Sequence, residues 1–185
     1  MAVSPVPGLT YSDGIRTIRR QHPDDLDADL AAKDDEQIAW LWRPGQRESW
    51  EAMTADEQRE HALRGLQSNR DSFGPGPKWT FAVDAAPDRA VAYVDCDLAN
   101  EHVPMGEANV SYAAHPAHRG KGHVSAAVRL LFLFLAEHTA AREAHFVIDP
   151  ANVSSLRVAR AVGAIEVDRL VDGTGLVRVR YVRSL

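Results

Sequence analysis

Cysteine and long apolar runs are both scarce in this sequence. The single cysteine, Cys96, cannot form a disulfide within the chain, which suits a reducing compartment, and we expect a cytoplasmic location. The longest apolar run, 128–136, is interrupted by Arg129 and is much shorter than the roughly 20 residues needed to cross a bilayer. No series of basic, apolar and small residues typical of a secretory signal stands at the start. We therefore expect a soluble protein that does not act at a membrane.

Basic residues are not in excess. The chain has 21 lysines and arginines against 26 aspartates and glutamates, and its formal net charge of −5 argues against a general nucleic-acid binder. Its 185 residues, 45% of them hydrophobic, are sufficient for one well-buried core. We predict a single domain over residues 1–185, in which residues 1–9, rich in proline and glycine, form a flexible arm.

The spacing of apolar residues predicts a protein of the α+β class, with antiparallel strands early and a strand–turn–helix–strand–helix unit late. Thr54, with Glu57 three residues later, is typical of a capping box, so a helix is predicted from about 54 to about 69. A helix with a buried face is predicted from Val124 to Leu135. The predicted strands are 15–20, 79–83, 90–95, 106–113, 145–148 and 176–182, and further helical segments are 23–42 and 152–163.

The stretch HRGKGH places two glycines and several basic residues before the 124–135 helix. The first N–H groups of a helix have no partner within it, and together with the helix dipole they attract anions. Gly120 and Gly122 would leave those groups open to a phosphate, with Arg119 and Lys121 at the rim. The residues alone equally allow a tight turn with solvated basic side chains. A P-loop would need Ser or Thr after Lys121, and a Rossmann turn would need Gly where Ser125 stands, so neither motif is present.

This stretch resembles the acetyl-CoA signature of the GNAT superfamily of N-acetyltransferases. The family pattern is Arg or Gln, two residues, Gly, one residue, and Gly or Ala. Arg119 and Gly122 match it, while Val124 departs from it at the last position and leaves less room beside the pyrophosphate. A second segment, DPANVSSLRVARAVGA, resembles the family's N-x-x-S-x-x-x-A motif through Asn152 and Ser155. Two motifs in this order identify the chain as a member of the superfamily.

Residues 14–42 resemble the RimJ/RimL-like branch, which includes enzymes that acetylate protein N-termini and enzymes that acetylate small amines such as aminoglycosides. The resemblance implies a GNAT-like mixed, mostly antiparallel central sheet, flanked by helices and splayed between its fourth and fifth strands, at 106–113 and 144–148. Acetyl-CoA would lie in the gap, and an acceptor amine would attack the thioester directly. The residues assigned to the cofactor are Tyr112, Ala113, Ala114, Arg119, Gly120, Lys121, Gly122, His123, Val124, Asn152 and Ser155.

Acetylation of an amine needs a base, because an amine near neutral pH is mostly protonated. Glu107, on the polar face of the 106–113 strand, is the candidate catalytic base, with a solvated strand carboxylate as an equal alternative. The resemblance places an oxyanion-stabilising N–H in the backbone at 112–114. Many relatives protonate the leaving thiolate with a tyrosine on the helix after the fifth strand, but 151–163 contains none. Ser155 or Asn152 is the candidate there, more as a cofactor ligand than as a proton donor.

An aromatic and acidic segment, 34–51, is the candidate acceptor wall, because the resemblance places the early helices beside the acceptor. Aromatic faces and carboxylates would suit a cationic amine. The alternative is that the tryptophans pack the first helices and the carboxylates are solvated. The side chains assigned to the acceptor are Trp40, Trp42, Glu48, Trp50, Glu51 and Glu107.

The leading hypothesis is an acetyl-CoA-dependent N-acetyltransferase that acts on a cationic small-molecule amine, foremost an aminoglycoside-type antibiotic. The alternatives are a protein N-terminal acetyltransferase and a GNAT-like module that binds acyl-CoA without turnover. We expect a monomer or a homodimer with no nucleic-acid partner. Three histidines, at 115, 118 and 123, lie around the glycine turn without a nearby acidic residue in the sequence, so no metal site is predicted.

Overall fold

The computed structural model describes residues 9–42, 45–73, 76–173 and 175–185, so that only Leu9 of the predicted arm falls inside the described ranges. Short 3₁₀ turns lie at Pro23–Asp25 and Pro116–His118, and the rest of the regular structure consists of α-helices and strands. In chain order these are β1 Thr10–Ser12, β2 Arg16–Arg20, α1 Leu26–Ala31, α2 Asp35–Leu41, α3 Gln46–Glu51, α4 Ala55–Asp71, β3 Lys78–Ala85, β4 Asp88–Asp97, β5 Ala108–Ala114, α5 His123–His138, β6 Glu143–Ile148, α6 Val153–Ala161, β7 Ile165–Val171 and β8 Val177–Ser184.

The strands form one eight-stranded sheet in the order β1-β2-β3-β4-β5-β6-β8-β7. Neighbouring strands are antiparallel except β5 and β6, which run parallel. The predicted α+β class with a mixed, mostly antiparallel sheet is therefore confirmed.

The sheet opens between β5 and β6. These strands pair only near their first residues, Ala108 with Ala144 and Asn109 with His145. They are the two segments between which the splay was predicted. Counted along the chain they are the fifth and sixth strands, because the three-residue β1 precedes the strand that the sequence analysis placed first.

Two edge strands were missed by the sequence analysis. β1 has only three residues, too few to display alternation. β7 has six exposed residues out of seven, so it has no buried face that an alternating pattern could reveal. Both strands are held by the neighbour with which they pair, β2 and β8 respectively.

Capping side chains determine where two of the helices begin. The predicted capping box is confirmed, since Thr54 Oγ1 accepts from the N–H of Glu57 and Glu57 Oε2 accepts from the N–H of Thr54. The helical segment 23–42 divides into a 3₁₀ turn and two helices, because Asp34 adopts an extended conformation and caps α2 by accepting from the N–H of Gln37 at 3.0 Å.

The two faces of the sheet have different partners. α5 packs on the face that carries Phe81, Val94 and Val110, and forms the main apolar core with it. α1 and α4 pack over the opposite face, where Ala82 and Tyr93 lie. The 16 residues of α5 therefore lie along the sheet with their first turn at the open end of the β5–β6 gap.

None of the described helices is both long enough and apolar enough to span a bilayer.

Candidate active site

A cavity of about 460 Å³ occupies the gap between β5 and β6. It begins where the two strands stop pairing and ends at the glycine turn before α5. Five parts of the chain supply most of its wall, namely the second half of β5, the 118–125 turn, the end of β6, the first turns of α6 and one face of α2.

The glycine turn leaves the start of α5 open to this cavity. Gly120 and Gly122 have φ values of 74° and 75°, in the left-handed region that favours glycine. A Cβ atom built on either glycine would meet no atom within 4 Å. Gly122 is the N-cap of α5 and has no side chain with which to occupy the first N–H groups. The turn therefore has the open N–H groups that a phosphate group needs.

The first turn of α6 is joined to β5 across the cavity. Asn152 caps the helix, its Oδ1 accepting from the N–H of Ser155 at 3.0 Å. The Tyr112 hydroxyl donates to the carbonyl oxygen of Ser155 at 3.1 Å. Burial raises the pKa of Tyr112, and the hydrogen bond to Ser155 lowers it by less. A tyrosine hydroxyl thus reaches α6 from the strand, although α6 itself has no tyrosine.

Arg119 forms a charge network with α2. Its guanidinium contacts both carboxylate oxygens of Asp34 at 2.7 Å and Glu36 Oε2 at 2.8 Å. The hydrogen bond to Asp34 raises the pKa of Arg119, and the same contact lowers the pKa of Asp34. These ion pairs join the glycine turn to the acidic end of α2, so part of the positive charge expected at the turn is neutralised.

The residues that the sequence analysis assigned to the cofactor lie together, with one exception. Lys121 is exposed and is not part of the wall. The assigned residues that line the cavity are Tyr112, Ala113, Ala114, Arg119, Gly120, Gly122, His123, Val124, Asn152 and Ser155.

Glu107 lies elsewhere. It precedes β5 at the end where the strands are still paired, and it is not among the described residues that line the cavity. Its Oε2 accepts from the N–H groups of Arg142 and Glu143 at 2.8 and 2.7 Å. The carboxylate therefore connects the starts of β5 and β6, and this position does not suit a base that acts inside the cavity.

The predicted acceptor side chains are divided. Trp40, 39% exposed, lines the cavity. Trp50 instead packs beside Leu26, Ala62 and Leu66, with its ring 5.7 Å from that of Trp42. Trp42 and Glu48 are not in the described wall, nor is Glu51, which pairs with Arg47 at 2.7 Å. The packing alternative thus holds for Trp50, and Glu36 is a wall residue that the sequence analysis did not choose.

A polar pair that was not predicted from the sequence lies at the wall. The hydroxyl of Ser111, a cavity-lining residue of β5, donates to Asp95 Oδ1 at 2.6 Å. Ser111 shares the polar face of β5 with Glu107 by strict alternation, so the face was available from the sequence. The partner carboxylate was not, because the cross-strand register decides it.

His115 directly follows β5 and lies beside Asp29 of α1. It is 9% exposed, and burial, with a smaller opposing effect of Asp29, lowers its pKa to about 4. The imidazole is therefore neutral in the folded protein near neutral pH.

Acid should weaken the fold through His115. Its folded pKa lies below that of the unfolded chain, so its contribution to the free energy of unfolding is complete above about pH 6.5 and is lost as the pH falls towards about 4. His115→Gln should remove about 2 kcal/mol of the loss that wild type shows between about pH 7.5 and about pH 5 in urea unfolding. The exposed His61→Gln is the control and should keep the wild-type dependence. An unchanged dependence in His115→Gln would contradict this assignment.

Comparison with known proteins agrees with this geometry. Residues 15–165 match the family model described as an acetyltransferase (GNAT) domain. A search of curated proteins by sequence gives no significant match.

Several solved structures share the fold. The GNAT-family acetyltransferase from Bacillus anthracis is 13% identical, with a TM-score of 0.72 over 95% of this chain and 98% of that one. RimJ from Mycobacterium smegmatis is 18% identical, with a TM-score of 0.70 over 98% of this chain and 88% of that one. The aminoglycoside acetyltransferase AAC(6')-Ib is 16% identical, with a TM-score of 0.67 over 91% of this chain and 94% of that one. At these identities the likeness concerns the fold. Because the family match spans most of its length, the chain belongs to the GNAT family of acetyltransferases, which use acetyl-CoA.

Proposed function

We propose that this protein is a single-domain enzyme that transfers an acetyl group from acetyl-CoA to a primary amine of a cationic small molecule, foremost an aminoglycoside-type antibiotic. The observation that carries the proposal is the form of the cavity. The open N–H groups of α5 line one side of it, and α2 lines another side with Glu36 and Trp40, joined to the glycine turn through Arg119.

The cofactor end fits a diphosphate group. The Cβ positions of Gly120 and Gly122 open into free space, and the first turn of α5 adds its dipole. Val124 is only 8% exposed, so most of this side chain is turned into the core, which reduces the crowding that its size suggested. Bound acetyl-CoA would supply an acetyl thioester that is activated towards amines.

The leaving-group end would lie at the first turn of α6. Tyr112 and Ser155 both line the cavity there, and the Tyr112 hydroxyl already reaches Ser155. We assign the hydroxyl groups of these two residues to binding and protonating the departing sulfur. The backbone at 112–114, part of the cavity wall, is assigned to stabilising the oxyanion.

The α2 side of the cavity favours a cation. α2 begins with Asp34, Asp35 and Glu36, which face two guanidinium groups, from Arg119 and Arg47. Arg47 also pairs with Glu51, so four carboxylates against two cations leave two net negative charges around α2, the helix that carries Trp40. A cation held against an aromatic ring gains about 0.5–2 kcal/mol, more when the site is dry. An amine with several positive charges would gain more from this wall than a peptide N-terminus with one.

The acceptor class can be tested by initial rates of thiol release. We expect kasugamycin or kanamycin to be acetylated faster than short peptides that begin with Ser, Ala or Met, and we expect added salt to reduce this preference, because it screens exposed charges over about 10 Å at 0.1 M. Trp40→Ala should lower the rate with the antibiotic while CoA affinity is unchanged. Efficient acetylation of the peptides without turnover of the antibiotics would reject this acceptor class and favour protein N-termini. CoA binding without turnover of any amine would favour a binding module.

A further inference from the structure

We propose that Ser111 and Asp95 are the proton-accepting pair of this enzyme, with Ser111 as the residue that touches the acceptor amine and Asp95 as the buried carboxylate that acts through it. The inference rests on the amine acetyl transfer proposed above, but not on which amine is the natural acceptor.

The pair is built into two adjacent strands. Asp95 of β4 and Ser111 of β5 are directly opposite each other in the antiparallel ladder. Their side chains therefore share the face of the sheet that α5 does not cover. The 2.6 Å hydrogen bond from Ser111 Oγ to Asp95 Oδ1 is as short as charge-assisted O–H···O contacts become. Ser111 lines the cavity, whereas Asp95, 7% exposed, lies behind it.

The position of the pair along β5 suits the reaction. Asn109 is the last residue of β5 that pairs with β6, and Ser111 lies two positions after it. Ser111 directly precedes the backbone at 112–114 that is assigned to the oxyanion. Glu107 lies four positions earlier and is bound to the backbone of β6. Ser111 is thus the polar side chain of this face that the cavity reaches.

The surroundings of Asp95 favour the uptake of a proton. Burial raises the pKa of this carboxyl, while the Lys78 ammonium and the hydrogen bond from Ser111 lower it less, and the Asp97 carboxylate raises it slightly. Tyr93 lies two residues before Asp95 on the same face of β4, and the pKa of its phenol is raised by burial and by Asp95. A carboxylate in such a place is a better base than an exposed one.

The proton that the acceptor amine loses leaves the cavity through Ser111 and Asp95. The neutral acceptor nitrogen forms a bond to the acetyl carbon, and the bond from that carbon to sulfur breaks with its electron pair going to sulfur. The excess proton on nitrogen passes to Ser111 Oγ, whose own proton passes to Asp95. Asp95 then releases that proton to solvent, and the sulfur gains one at the α6 end of the cavity. The products are the amide and a free thiol.

The test uses the full chain with acetyl-CoA and three amine probes, kanamycin, an Ala-first peptide and n-propylamine at high concentration. Asp95→Asn keeps an oxygen that accepts from Ser111 but cannot take a proton. We expect kcat to fall by about 100-fold or more with an unchanged KM for acetyl-CoA, and we expect the acidic limb of the pH profile to be lost. Ser111→Ala should cost a similar factor, the double variant no more than either alone, and Ser111→Thr, which keeps the hydroxyl, should recover most of the rate.

Asp97→Asn is the matched control, since Asp97 lies two residues further along β4 and its Oδ1 accepts from the N–H of Ala99. It removes only the smallest of the effects on the pKa of Asp95, so kcat should stay within about threefold of wild type. The proposal is overturned if Asp95→Asn retains wild-type kcat. It is also overturned if Asp95→Asn loses stability together with kcat but keeps the acidic limb of the pH profile, because the pair then has only a structural role. Absence of thiol release with all three probes would instead reject the proposed function. In that case the Asp95 carboxyl, followed by ¹³C NMR, decides whether the pair is a base, since a pKa at or below about 3.9 would overturn it.

Discussion

Gly122→Glu should abolish CoA binding while the protein remains folded. In isothermal titration calorimetry we expect the affinity for CoA to fall by about 100-fold or more, equivalent to about 2.7 kcal/mol. The added carboxylate would lie at the N-terminus of α5, where it can accept from the N–H groups that a phosphate would otherwise use. It would also repel the phosphates of the cofactor directly.

The fold should tolerate this change. A Cβ at Gly122 meets no atom within 4 Å, so the cost comes from the left-handed backbone and is about 1–2 kcal/mol. Gly14→Glu is the matched control, because Gly14 also has a positive φ, of 88°, and free space at its Cβ, but lies in the turn between β1 and β2. It should carry the same backbone cost and bind CoA normally. Wild-type CoA affinity in Gly122→Glu would reject the turn as the phosphate site.

Phe134→Ala should strongly destabilise the fold. Phe134 is 1% exposed, and its ring makes edge contacts with Phe81, at 5.0 Å between centroids, and with Trp79, at 5.5 Å. Removing a buried phenyl ring leaves a cavity and costs about 3–5 kcal/mol. Because a domain is stable by only about 5–15 kcal/mol, this is a large share of the total.

Chemical denaturation measures the effect, with Leu133→Ala as the control on the same helix. Leu133 is 52% exposed, so its truncation should change the free energy of unfolding by no more than about 0.5 kcal/mol. CoA binding by the folded fraction of Phe134→Ala should stay near wild type, since the ring is not part of the cavity wall. A loss below about 1 kcal/mol in Phe134→Ala would mean that α5 does not pack on the sheet through this ring.

The turn before α5 could be identified from the sequence because its chemistry is local. Two glycines, a helix start and an apolar helical stripe are all contained in one continuous stretch, and the same holds for the capping box at Thr54 and for Asn152 before α6. Hydrogen bonds between residues three positions apart depend on few long-range contacts. The opening between β5 and β6 followed from the resemblance to the GNAT family rather than from periodicity.

The polar residues of the reaction were decided by tertiary structure. The polar face of β5 could be predicted from alternation, but alternation alone does not distinguish Glu107 from Ser111. The choice depends on where β6 stops pairing with β5 and on which carboxylate the register of β4 brings opposite Ser111. The same is true of Trp50, which packs against α4, and of Arg119, whose partners lie more than 80 positions away in the chain. Register and packing join residues that are distant in sequence, and no spacing within one segment carries that information.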